Sequence, residues 1–114
     1  MTDDEPAPAP DAVLHGPDDH DLAGALEAAD IDVARLVGPT DADALREAGV
    51  EAASYLVLTD VDEAAAIPVA KELSSGVTAV VYDGERLPEY VAGVADIAVD
   101  PALLDATAVA EELA

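Results

Sequence analysis

Two histidines and a run of aspartates stand close together near the start of the chain: His15, Asp18, Asp19, His20 and Asp21. Imidazoles and carboxylates are the groups that ligate divalent cations, so a metal site is one chemistry this run could support. Its spacing fits no standard zinc pattern, and the alternative is structural: an edge histidine with its hydrogen bonds met, followed by aspartates that cap a helix. Asp18, Asp60 and Asp100 each follow an apolar run, which places them at the carboxyl edge where open α/β sheets bind ligands. A receiver-type magnesium or phospho-acceptor pocket would use such acids together with a lysine on a later strand. Lys71, however, falls in a helical pattern, and capping accounts for all three aspartates. Thr59 and Tyr82-Asp83 also end apolar runs and would floor any pocket at that edge. Among so many acids, such a pocket would welcome a small uncharged or cationic ligand. Ser54, Ser74 and Ser75 lack the strand–turn–helix setting of a nucleophile elbow. Neither histidine is placed to activate them, and cysteine is absent. The chain therefore reads as a non-enzyme.

These residues are set by an alternation of short apolar runs with helix-period segments. Residues 1–11, acidic and then alternating Ala with Pro, form an extended or disordered tail; residues 12–114 form one domain. Ala12 to Gly16 is the first strand, followed by a helix capped by Asp18 or Asp19 with Leu22, Ala25, Leu26 and Ala29 on one face. Val33 to Val37 is the second strand, ended by Gly38-Pro39. Thr40, with Asp43 three places on, forms a capping box for a helix that stops at Gly49. Tyr55 to Thr59 has no polar alternation, which predicts a central strand buried on both faces. Asp60 and Glu63 form a second capping box for a helix reaching Leu73; Pro68 either kinks it or sits in the first turn of a later start. Thr78 to Tyr82 is the fourth strand, a helix runs from Pro88 to about Gly93, and Asp96 to Val99 is the fifth strand. Asp100 caps the last helix, with Pro101 at its first position and Leu103, Leu104, Val109 and Leu113 facing inward. Five rounds of strand and helix predict a three-layer α/β/α sandwich around a parallel five-stranded sheet.

Composition bounds what such a domain does. There are 26 acids against 4 bases, a formal charge of −22, with 52% hydrophobic residues. The periodic apolar blocks argue for a core rather than disorder. An acid coat of this density repels itself in ordinary buffer, but at 1 M salt the screening length falls to about 3 Å. The expectation is a protein of a salt-in, archaeon-like halophile. Four scattered bases cannot displace the counterions of a nucleic acid, and three tyrosines offer little for base stacking. Nucleic acid and anionic membrane surfaces are thus disfavoured as partners. With no membrane-length apolar run and no signal-like start, the expected location is the cytoplasm.

From Thr40 onward, about two thirds of the chain, the sequence resembles the TrkA-N or RCK domain, the nucleotide-binding regulatory domain of potassium transporters and channels. The likeness is carried by TDADALREAGVEAASYLVLTDVDEAAAIPVAKEL, then VTAVVYD, then ADIAVDPALL. Within these stretches lie the Leu45-Arg46-Glu47-Ala48-Gly49-Val50 helix end, the Thr59-Asp60 strand end and Asp100 to Leu104. The resemblance implies a Rossmann-type fold, pairing into a homodimer, and a link to ion transport. The first third departs from it. The family's Gly-x-Gly-x-x-Gly turn is replaced by Gly16-Pro17-Asp18-Asp19-His20-Asp21, in which only the first glycine survives. Glycines let the backbone approach a pyrophosphate resting on a helix N-terminus; here carboxylates stand in that place. At an effective dielectric near 20, like charges about 4 Å apart repel by roughly 4 kcal/mol, more than one phosphate hydrogen bond returns. One strand–helix unit and its ribose-binding acid are missing between Gly16 and Gly38, and the family's Gly-Asp-Ala-Thr stretch has become Gly38-Pro39-Thr40. The shortened sheet should then run 2-1-3-4-5. No cofactor is expected, and NAD or an adenine nucleotide is disfavoured. The expected role is a non-enzymatic regulatory or protein-interaction domain, paired with itself or another protein. The alternative is a small-ligand or nucleotide sensor using a modified pocket lined by Gly16, Asp18, Gly38, Thr59, Asp60 and Tyr82.

Overall fold

A computed structural model describes residues 10–36, 38, 40–85, 89 and 93–114; most of the helix expected from Pro88 to Gly93 and most of the N-terminal tail lie outside them. Five short strands pair in parallel: β1 (Ala12–His15), β2 (Val33–Leu36), β3 (Tyr55–Leu58), β4 (Thr78–Tyr82) and β5 (Ile97–Val99). Their order is β2-β1-β3-β4-β5, as the shortened Rossmann reading expects. Register is simple: Ala12 lies opposite both Val33 and Tyr55, Tyr55 opposite Thr78, and Val80 opposite Ile97.

Side chains one residue apart on a strand point to opposite faces, and the three interior strands carry apolar residues at nearly every position. They therefore feed two cores. Val13, Leu56, Leu58, Ala79 and Val81 meet Leu45 and Val50, with Ile67 and Ala70, on one side. Ala12, Leu14, Val57, Val80 and Tyr82 meet Leu22 and Leu26, with Val109 and Leu113, on the other. The helices are α1 (Leu22–Ala28) and α4 (Ala106–Leu113) over the second face, and α2 (Ala42–Ala48) and α3 (Ala66–Leu73) over the first. Each fully buried Leu or Ile contributes about 1.5–3 kcal/mol, so the two layers of leucine and isoleucine account for much of the driving force.

Helix starts are where sequence and structure part company. The cap of α2 is Asp41, whose carboxylate accepts the Ala44 N–H at 2.8 Å, not Thr40; the Thr40 hydroxyl lies 3.4 Å from Glu63. Asp43 does not complete a capping box but pairs with Arg46 at 3.2 Å. Asp60 closes a local turn through the Asp62 N–H, 2.9 Å, and a 3-10 turn (Val61–Glu63) precedes α3. Pro68 thus falls in the first turn of a helix that starts late, the second of the two options above and the one that costs no hydrogen bond. Asp105, not Asp100, caps α4 through the Ala108 N–H, 2.9 Å. Asp100 instead closes a turn over Pro101 and Ala102, so Pro101 is not a helical residue and Leu103 is 83% exposed rather than inward. Asp11, read as tail, belongs to the fold: its N–H donates to Asp32 O at 2.9 Å and its carbonyl accepts from Ser54 and Tyr55. Gly49 does end α2, in the left-handed region at φ 97°.

Candidate functional site

At the carboxyl end of the sheet, the loop after β1 decides what can bind. Gly16 turns the chain with φ at 115°, and a Cβ there would run into the Thr59 hydroxyl and backbone. That hydroxyl donates to Pro17 O at 2.5 Å, and the Thr59 N–H donates to His15 O at 3.1 Å. The β1–α1 loop is thereby held flat against the end of β3. Asp21 then takes a left-handed conformation, φ 54°, one that Asp tolerates better than most residues. Its carboxylate folds over Gly24, where any Cβ would sit 2.7 Å from it.

This geometry brings Asp18 back onto the start of α1. Its two oxygens accept the N–H groups of Leu22 at 2.7 Å and Ala23 at 3.2 Å. Its side chain is only 13% exposed, and the Arg35 guanidinium stands 3.7 Å away. The first amides of a helix and its positive end are what hold a pyrophosphate in a dinucleotide-binding fold. Here the chain's own carboxylate sits on them. Asp18 caps the first amides of α1 from four residues before Leu22, as the sequence allowed, while Asp21 holds the N-cap position without a side-chain bond and Asp19 takes no part.

A depression of about 140 Å³ opens beside this loop, against roughly 300–1,000 Å³ for ordinary small-molecule pockets. It joins three of the six predicted lining residues, Asp18, Thr59 and Tyr82, to His20, Asp83 and Pro101. Much of this lining is already engaged. Both Asp83 oxygens accept backbone N–H groups, from Val61 at 2.8 Å and Glu85 at 3.1 Å. The Tyr82 hydroxyl donates to Leu104 O at 2.9 Å; burial, with the Asp105 carboxylate nearby, raises its pKa above the ordinary tyrosine value. His20 stands edge-on to the Tyr82 ring, centroids 5.7 Å apart.

The other three predicted residues lie outside the depression. Gly16 is beneath the loop, Asp60 caps the 3-10 turn, and Gly38 serves the opposite face of the sheet by accepting from His15 Nε2 at 2.8 Å. His15 is not an edge histidine: β1 lies between β2 and β3, and the side chain is buried, with Nδ1 lacking a partner. It lies on the same face as Val13, the α2/α3 side, whereas His20, in the β1–α1 loop, stands against Tyr82 on the other, so the two histidines are held apart. Among the described residues, no cluster of three or more histidines and carboxylates is arranged to hold a metal. His20 and Pro101 were not among the predicted lining residues. His20 was visible as a titratable group, but its reach to Tyr82 depends on the left-handed turn at Asp21, which no motif announces.

One family of proteins, described as a family of unknown function (DUF7126), matches residues 12–113. The chain belongs to that family. The DUF7126 match runs from the first residue of β1 to the last residue of α4, so it takes in the acidic β1–α1 loop. No curated protein matches the chain. No described helix is long and apolar enough to cross a membrane.

Proposed function

We propose that this DUF7126 domain is a non-enzymatic regulatory or protein-interaction module, built on a Rossmann-type scaffold whose phosphate site is closed from within. The observation that carries the reading is the seat of Asp18 on the Leu22 and Ala23 amides. A nucleotide phosphate would have to displace a carboxylate that is already hydrogen-bonded and charge-paired, then settle beside Asp19 and Asp21. Descent from an RCK-like regulatory domain gives a source for the scaffold, and the acid coat of net charge −22 suits a cytoplasm of multimolar salt.

Thermal melting in multimolar KCl with 1 mM NAD, ATP or AMP tests this. A site with a dissociation constant near 10 μM would add about 2.7 kcal/mol and raise the midpoint by on the order of 10 °C. The reading expects no shift; a rise of that size with any of the three removes it.

A second reading, a small-ligand sensor, draws on the depression beside Tyr82. Among the described residues, Asp19 and His20 are its members whose polar side chains make no hydrogen bond to the protein. They favour a small uncharged or cationic ligand over any phosphate, and the same melt with small amines would raise the midpoint if this reading holds.

A further inference from the structure

A single aspartate of the chain is followed by glycine, Asp83-Gly84, and there is no asparagine. Aspartate carries a latent reaction along its own backbone: the amide nitrogen of the next residue attacks the side-chain Cγ. A Cβ on that next residue hinders the approach, and glycine has none. Every other aspartate is followed by a residue with a Cβ. The reaction therefore has one favoured place.

The pair lies in the turn that leaves β4 at the carboxyl edge, where Asp83 is half-buried and Gly84 is exposed to water. There the fold holds the electrophile. One Asp83 oxygen accepts the Val61 N–H at 2.8 Å and the other accepts the Glu85 N–H at 3.1 Å. The carboxyl group thus fastens the 3-10 turn before α3 to the end of β4. Swinging its Cγ onto the Gly84 nitrogen gives up the bond to Val61.

We propose that Asp83-Gly84 is a site of spontaneous aspartate isomerisation, latched by the Val61 amide in the folded domain and released when that latch opens. In the first step the Gly84 nitrogen bonds to Cγ of the protonated carboxyl group, and the Cγ–OH bond breaks. The hydroxyl leaves as water with the amide proton, which closes a five-membered succinimide. Water then cleaves the bond between that nitrogen and the Asp83 main-chain carbonyl carbon. No atom is gained or lost overall. The main chain now runs through Cβ and Cγ, one methylene longer, with the former carbonyl carbon as a free carboxylate. The latch cannot re-form in place, so the turn at Val61 parts from β4 and the depression loses one of its walls. Chemistry that proceeds from a locally opened state scales with the population of that state, so the fold sets the rate.

Peptide mapping by mass spectrometry, with backbone fragmentation that separates isoaspartate from aspartate, tests this after weeks at 37 °C and pH 6. The wild type is held in 4 M KCl and in 6 M guanidinium chloride, beside Val61→Pro and Gly84→Ala. Val61 opens its 3-10 turn and Asp60 before it is extended, φ −137°, so proline suits that backbone while removing the N–H. A Cβ on Gly84 would lie 3.3 Å from an Asp100 carboxylate oxygen, a contact that a side chain can yield to. A melt of each variant verifies folding. Isoaspartate is expected at position 83 ahead of every other aspartate, at least tenfold more slowly in the folded wild type than in the denatured chain. Folded Val61→Pro should age several-fold faster than the wild type, and Gly84→Ala should be suppressed in both solvents. Equal rates in the two solvents, isoaspartate chiefly at other positions, or a folded Val61→Pro that ages no faster would each overturn the assignment. If the proline variant does not fold, the ratio between the solvents and Gly84→Ala decide it. None of these outcomes bears on the nucleotide melt.

Discussion

Aspartate does in this chain what several residue types share elsewhere. There is neither Asn nor Gln in the sequence, and capping positions that usually draw on Ser, Thr, Asn and Asp are filled by Asp18, Asp41, Asp60 and Asp105. Asp96 shows how far one carboxylate reaches, joining α3, through Lys71, to the backbone of β4 at Ala79. Its pKa is lowered, so its contribution is complete above the unfolded value of about 3.8. That contribution is lost as pH falls through the lower, folded value. The Asp96→Asn variant keeps an acceptor for Ala79 but cannot titrate. Its thermal midpoint should lie below that of the wild type at pH 6, and the gap should narrow as pH drops below 4. A gap that widens on acidification would contradict this linkage.

At the scale of elements, the strands were legible because each is a block of Val, Leu, Ile, Ala or Tyr. The sheet order followed from the count of strand–helix units. The helix starts were legible in kind but not in place. With 26 acids in 114 residues, most helix starts offer two or three aspartates. Which one caps depends on where the first free amide falls, as Asp41 rather than Thr40 and Asp105 rather than Asp100 show. The candidate site was half legible. Thr59 and Tyr82 follow from strand ends, whereas the swing of Asp18 onto α1 depends on the positive φ of Gly16 and Asp21. That cap predicts its own cost. The Asp18→Ala variant should lose about 1–2 kcal/mol in denaturant unfolding in high salt, and Asp18→Asn, which retains an acceptor, should recover most of it. A loss below about 0.3 kcal/mol for Asp18→Ala would mean that the two hydrogen bonds contribute little to α1.

The whole molecule combines a well-covered parallel sheet, an acid coat, a small depression at the carboxyl edge and an uncharged β5 edge. In folds of this class, ligands sit where the strand order reverses, here between β1 and β3. That position is taken up by Gly16, Thr59 and the loop they fasten together, with Asp18 on the amides behind it. On the reading proposed above, Asp18 fills the place on the α1 amides where a nucleotide-binding fold rests its phosphates. Nuclear magnetic resonance reads that place directly, through the Leu22 and Ala23 amide signals in multimolar KCl as NAD is added to saturation. Unmoved amides in the wild type are the predicted result. A saturable shift of both, at concentrations that leave distant amides unchanged, would contradict the account at its centre.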